Sequence, residues 1–147
     1  LDAFKEEKIV HKNGDSMIPT YFTKRSGLEE LPKTVLIHLK RFEHTALGSQ
    51  KNQQTFKFPF RLTIPTYQID KKNGLISKRV ERKMYLKAIV VHTGSSINTG
   101  HYMTYECLRQ DKRYKLRLYD DSRVSVVTKS VLKDIYQNAY ILAYEEE

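Results

Sequence analysis

The residues of this chain best suited to chemistry are His101, Asp120 and Asp121, in the segments Gly100-His101-Tyr102-Met103-Thr104-Tyr105 and Tyr119-Asp120-Asp121. A histidine whose ring N–H is accepted by a carboxylate is the base half of a nucleophilic hydrolase site: the acid fixes the tautomer and favours the imidazolium that forms during proton transfer. Spacing makes the pairing robust. Strands are predicted over 101–108 and 114–119; if residues 101–109 and 113–120 are the arms of a hairpin, a turn centred between Gln110 and Asp111 sets His101 opposite Asp120, with Cβ atoms about 5 Å apart. A turn one residue longer sets Asp121 there instead. A turn centred between Asp111 and Lys112 leaves Asp120 on the same face, one diagonal away. Each register brings a carboxylate to the imidazole.

The nucleophile is harder to find. Cys107, the single cysteine, lies on the same predicted strand as His101. At about 3.3 Å per residue it stands roughly 20 Å away, whereas nucleophile and base must approach to about 3 Å. Cys107 therefore reads as a small packed apolar residue. One cysteine allows neither an internal disulfide nor a multi-cysteine zinc site, and fits a reducing compartment, cytosol or nucleus. His38 and His92 lie in apolar strands and read as core or sheet-surface residues. His11 and His44 fall in loops. None shares a metal-ligand spacing with another, so no metal is predicted.

The elements that must position these residues read as follows. Residues 1–9, with Leu1, Phe4 and Ile9 among charges, predict a short amphipathic helix. Lys12-Asn13-Gly14-Asp15 predicts a turn, and 17–25 a strand interrupted by Pro19. Thr34–Phe42 predicts a well-buried strand. Residues 45–53 are expected to be a mobile loop, Thr55–Ile64 a broken strand pair around Pro59, and 65–83 a polar surface insertion with a turn at Lys72-Asn73-Gly74. Met84–His92 reads as a central strand, Gly94–Gly100 as a flexible glycine-bounded loop, Val124–Val127 as a short strand. Thr128 is placed to cap a helix over 129–137 whose apolar face is Val131, Leu132 and Ile135, and Ala139–Tyr144 reads as a last buried strand. The fold class is α+β, a mostly antiparallel sheet with few helices.

Composition sets the outer limits. The chain has 147 residues, 39% hydrophobic and 11% aromatic, enough for one globular domain with a core. No apolar run approaches the roughly 18 residues of a membrane span, and the start, Leu1-Asp2-Ala3-Phe4-Lys5, has neither the basic opening nor the apolar stretch of a signal peptide. Without an initiator Met, the chain is expected to be a piece of something longer. The net charge of +9 comes from scattered Lys and Arg with no nucleic-acid motif, so a solvated surface is expected rather than a nucleic-acid interface.

Several segments together resemble one family. Leu31-Pro32 with Leu36–Phe42, then Phe56, Phe58-Pro59 and Leu62, then Tyr85–Gly94, then Gly100-His101-Tyr102 with Tyr105, then Tyr119–Val124, and last Ala139–Tyr144 are similar, in order and spacing, to the C-terminal half of the catalytic domain of ubiquitin-specific proteases. These are papain-like deubiquitinating cysteine proteases. The resemblance implies the palm and fingers portion of a papain-like fold, with residues 1–147 a single partial domain. It implies His101 as general base, Asp120 as the residue orienting it, and Asp121 as support for the pair or the oxyanion region. Gly94–Gly100 would be a loop that moves when the ubiquitin tail enters, 43–55 a second mobile loop, and Gly94, Gly100, Tyr102 and Tyr105 would meet that tail. No cofactor is implied. The implied partners are ubiquitin, ubiquitinated proteins and an N-terminal catalytic half carrying the nucleophilic cysteine, in cytoplasm or nucleus. Residues 8–26 lack the paired cysteines that often hold zinc in the family's fingers. Thr99, Leu116, Tyr119 and Ala143 also depart from its common residues. The implied function is thiol-dependent hydrolysis after ubiquitin's C-terminal glycine; the alternative is a catalytically inactive ubiquitin-binding scaffold.

Overall fold

A computed structural model describes residues 3–13, 16–46, 48–74, 76–96, 99–110 and 113–146; side chains are described from Gly27 onward within these, His44 and Thr45 excepted. The chain divides into two compact units, Leu1–Leu31 with Ile64–Arg82, and Pro32–Thr63 with Lys83–Glu147.

The first unit is a set of strand ribbons. β1 (Ala3–Asn13) and β2 (Ser16–Ser26) form an antiparallel pair from Ala3↔Ser26 to Asn13↔Ser16. The helix expected over residues 1–9 is not formed: Ala3 to Ile9 are strand. Their apolar residues are also compatible with an extended chain, and eleven ladder pairs with β2 override a weak helical pattern. Pro19 does not interrupt β2; it sits opposite Val10, which a two-stranded ribbon permits because each strand has an open edge. The expected turn falls between these strands, with Gly14 and Asp15 outside the described residues.

In the second unit, β3 (Thr34–His38) is separated from the hairpin β4 (Phe42–Thr45) and β5 (Gly48–Lys51), which pair from Phe42↔Lys51 to Thr45↔Gly48. Two expectations are corrected here. The strand predicted over 34–42 breaks after His38, and it is not well buried: Leu36 is 69% exposed, because β3 is an edge strand paired only with β11 (Ala139–Glu146). The loop expected over 45–53 is largely the β4–β5 hairpin, whose polar residues are held by backbone pairing that hydropathy does not register.

β6 (Arg61–Ile69) and β7 (Ile76–Thr93) pair with each other, so the surface loop expected over 65–83 is mostly strand. Among the described residues of this segment the chain turns at Asp70–Gly74: Gly74 N–H donates to the Asp70 carbonyl at 2.8 Å, Lys72 N–H to Asp70 Oδ1 at 2.9 Å, and Gly74 takes φ +70°, a conformation that favours glycine. Phe56 and the segment around Pro59 lie outside regular strands.

β8 (His101–Gln110), β9 (Arg113–Asp120) and β10 (Arg123–Val127) follow, then a 3₁₀ turn (Lys129–Val131), α1 (Leu132–Asn138) and β11. The main sheet has the order β10-β9-β8-β7-β11-β3, with β6 also pairing β7. Its described pairs are antiparallel. β7 is central because its stretch Met84–Val91 supplies Met84, Leu86, Ile89 and Val91, all nearly inaccessible. Cys107, Leu116, Leu142, Tyr144 and Ile135 of α1 join this core. The helix begins later than expected. Thr128 precedes the 3₁₀ turn without capping it by a side-chain bond; its Oγ1 instead meets Ser130 Oγ at 2.7 Å. Ile135 is buried, while Val131 and Leu132 are half-buried. The architecture is therefore mostly antiparallel sheet with, among the described residues, one short α-helix.

Candidate active site

The β8–β9 ladder runs from Gln110↔Arg113 to Thr104↔Tyr119. That is the register with the turn centred between Asp111 and Lys112, so Asp120 lies diagonally from His101 on the same face. The diagonal closes: His101 Nε2–H donates to Asp120 Oδ1 at 2.5 Å. Their side chains are 44% and 34% exposed, so the pair is open to solvent at the end of a sheet face that passes through half-buried Met103 to buried Tyr105 and Cys107. Bonding through Nε2 fixes the tautomer and makes Nδ1 the nitrogen with a free lone pair, the one that can take a proton.

Asp121 completes the corner. It begins the two-residue turn Asp121-Ser122 that joins Asp120 to Arg123 across the β9–β10 ladder. Its φ is +51°, in the left-handed region that Asp tolerates better than most residues. One ligand-type atom from each of His101, Asp120 and Asp121 lies within 4.8 Å of the other two. The Asp120 hydrogen bond raises the His101 pKa above its ordinary value; desolvation opposes this, and the charges of Asp121 and Asp120 add to it. The arrangement is a histidine biased toward its charged form and aimed by an acid.

The other predicted site residues divide into two groups. Gly94 and Gly100 close the loop before His101, and each is needed as glycine. Gly94 has φ +131°, and a Cβ there would stand 2.7 Å from the Thr99 carbonyl oxygen and 2.9 Å from Gly100 Cα. A Cβ on Gly100 would collide with the ring of His92. Ile97 and Asn98 of this loop lie outside the described residues. Tyr102 points to the opposite sheet face from His101; it is 49% exposed and packs against His92, ring centroids 4.6 Å apart. Tyr105 is in the core, and burial, then Asp134 and Asp120, push its hydroxyl pKa up. Cys107 is buried as expected, and desolvation, then Glu106, push its thiol up to about 12. A thiol so held is not a nucleophile near neutral pH.

Three supporting residues were not singled out for function by sequence reading. Arg41 is buried and its guanidinium reaches four backbone carbonyls: Ala139 at 2.5 Å, Gln54 at 2.8 Å, Tyr136 at 2.9 Å and Asn52 at 3.0 Å. It thereby ties the C-terminal end of α1 to the chain leaving β5. Lys51 is also buried; its ammonium donates to the His92 carbonyl and, at 2.9 Å, to Asn138 Oδ1. His92, read as core or sheet surface, is core. The sequence signals for this group were the Leu36–Phe42 segment, which holds Arg41, and the Tyr85–Gly94 segment, which holds His92; nothing in the polar run around Lys51 marks it out.

A model of the ubiquitin carboxyl-terminal hydrolase family matches residues 5–144. Ubiquitin carboxyl-terminal hydrolase 10 of Saccharomyces cerevisiae is 32% identical over 126 residues, 85% of this chain and 14% of that protein. Ubiquitin carboxyl-terminal hydrolase nonstop of Drosophila melanogaster is 35% identical over 125 residues, 84% of this chain and 23% of that protein. The chain thus spans less than a quarter of the length of these relatives. Among solved structures, a SAGA Ubp8/Sgf11/Sus1/Sgf73 DUB module superposes with a TM-score of 0.70 at 26% identity, covering 98% of this chain and 31% of the other. A form of that module bound to monoubiquitin gives 0.62 at 25% identity, covering 98% and 30%.

Proposed function

Because the chain belongs to the ubiquitin carboxyl-terminal hydrolase family, as part of a ubiquitin-specific protease catalytic domain of papain-like fold, we propose that it supplies the histidine and acid of a thiol-dependent hydrolysis after ubiquitin's C-terminal glycine. The chain is the C-terminal, palm-and-fingers part of that domain. The nucleophilic cysteine comes from a part N-terminal to it. Ubiquitin and ubiquitinated proteins are the partners, in cytoplasm or nucleus; the monoubiquitin-bound relative supports ubiquitin itself.

The observation that carries this reading is the His101 Nε2–Asp120 Oδ1 bond of 2.5 Å. With Asp120 holding Nε2, His101 Nδ1 accepts the proton of the incoming thiol as it attacks the carbonyl, then returns it to the departing lysine amine. Asp120 orients the ring, and the charge of Asp121 favours the imidazolium. The loop between Gly94 and Gly100 yields to the ubiquitin tail, with exposed Tyr102 near its edge, whereas Tyr105 is buried and supports the sheet from within the core. No cofactor enters these steps.

The test is hydrolysis of a ubiquitin C-terminal amide by the full-length protein. His101→Ala is expected to lower kcat by about 10²–10⁴-fold. Turnover that survives His101→Ala undiminished would overturn the role of His101. A wild-type protein that binds ubiquitin but does not hydrolyse it would favour the scaffold alternative. Labelling by a reactive ubiquitin probe is the weaker readout, because a reactive probe can trap an unassisted thiol.

A further inference from the structure

His92 ends the central part of β7 and is 1% exposed. It faces Tyr102 across the β7–β8 ladder, and its neighbour Thr93 faces His101; Thr93 Oγ1 also donates to the His101 carbonyl at 3.2 Å. The imidazole fills the space that a side chain at position 100 would need: a Cβ on Gly100 would collide with His92 Nε2 and lie 2.5 Å from Cε1, and one on Gly94 would lie 3.5 Å from Cε1. Both ends of the loop before His101 are therefore laid on this one ring. The ring is itself held from three sides, by Tyr102, by Phe42 at 5.3 Å and by Tyr140 at 6.5 Å between centroids. The His92 carbonyl takes the Lys51 ammonium.

A phenyl ring would pack in such an aromatic nest without polar cost. The histidine instead leaves Nδ1 buried with no partner among the described residues, which is unfavourable unless the ring does something an apolar one cannot. What it does do is bring a compact, five-membered ring edge with Nε2 against the Gly100 backbone, one residue from His101.

We propose that His92 is a positioning residue for His101: its imidazole sets the backbone at Gly94 and Gly100 and, through Gly100, the alignment of the His101 ring with Asp120. This rests on His101 acting as the base. Burial, and then the charge of Lys51, lower the His92 pKa, while His101 is shifted the opposite way. The groups around His92 are thus Lys51 from β5, Phe42 from β4, Tyr102 from β8 and Tyr140 from β11, with no carboxylate among those in described contact.

The experiment uses the full-length protein with ¹³C-labelled histidine, comparing wild type with His92→Ala and His92→Gln. The Gln side chain places a nitrogen at about the reach of Nε2. One readout is the His101 titration midpoint by NMR, and the other is kcat and KM on a ubiquitin C-terminal fluorogenic amide. His92→Ala is expected to move the His101 midpoint down toward the ordinary histidine value. It should also lower kcat by about 100-fold, as a misplacement near 1 Å does, with KM little changed. His92→Gln is expected to recover most of both. A folded His92→Ala protein whose His101 titrates as in wild type would overturn the proposal. If His92→Ala does not fold, Gly100→Ala, which drives a methyl into the ring, takes its place with the same two outcomes. If hydrolysis proves independent of His101, the catalytic reading fails by itself, whereas the NMR coupling between the two histidines decides the present proposal separately.

Discussion

At the scale of single residues, the acid partner of His101 is the most exposed to test. Asp120→Asn keeps the shape but removes the charge-assisted acceptor. The His101 midpoint, measured by NMR, should fall toward the ordinary value near ~6.5. Turnover by the full-length protein should drop by about 10²–10⁴-fold. The same pair makes stability depend on pH in a defined direction. Folding raises the His101 pKa, so the folded state binds the proton more tightly than the unfolded one. The stabilisation is present in full below the unfolded value of about 6.5 and is lost as pH rises through the raised folded value. The Tm difference between wild type and His101→Ala should therefore shrink as pH increases through that window. The side chains are partly exposed, so added salt should reduce the difference further. Asp121 tests backbone rather than charge. At φ +51°, Asp121→Gly should retain the fold, whereas Asp121→Val should cost about 1–3 kcal/mol in urea unfolding.

At the scale of elements, the β4–β5 hairpin is held to the main sheet by cations with neutral partners. Arg41 meets four carbonyls and, among the described residues, no carboxylate. Removing it leaves buried acceptors unpaired, each worth roughly 1–3 kcal/mol. Arg41→Met is expected to destabilise the protein by about 3 kcal/mol or more by denaturant unfolding. Arg41→Lys should rescue little, because one ammonium cannot span the positions that the planar guanidinium reaches. The conversion of two expected loops into hairpins has the same physical origin. Ladder bonds satisfy the backbone of polar segments such as Gly48–Lys51 and Ser77–Glu81 without an apolar pattern to announce them.

At the scale of the whole molecule, the sheet's covered face decides which groups are chemically silent. Cys107 and Tyr105 continue the face on which His101 stands, yet they are buried while His101 is open. The Cys107 thiol should resist a soluble thiol reagent in the native chain, and its labelling should follow global unfolding across a denaturant series. Rapid native labelling would show that the β7–β8–β9 core opens locally. Among the described residues no helix is long and apolar enough to cross a membrane.

The order and type of residues were enough to bring His101 together with both acids, because a strand alternates with period two and a tandem Asp120-Asp121 meets His101 in any nearby register. They were enough for the Met84–His92 part of β7 and for β8, β9 and β11, whose apolar or alternating runs match their burial, and for the family, carried by segments from Leu31 to Tyr144. Residues 3–9 were misread, since their apolar spacing suits both a helix and a strand and only the ladder with β2 chooses. The shared role of Arg41, Lys51 and His92 was not legible either. Most of their partners are backbone groups on other elements, from 8 to 98 residues away, and a backbone carbonyl has no sequence signature. Tertiary structure alone decided which of three registers closed, which nitrogen of His101 faces its acid, and which ring lies beneath Gly100, because each depends on distances of a few ångströms between elements that local propensity does not encode.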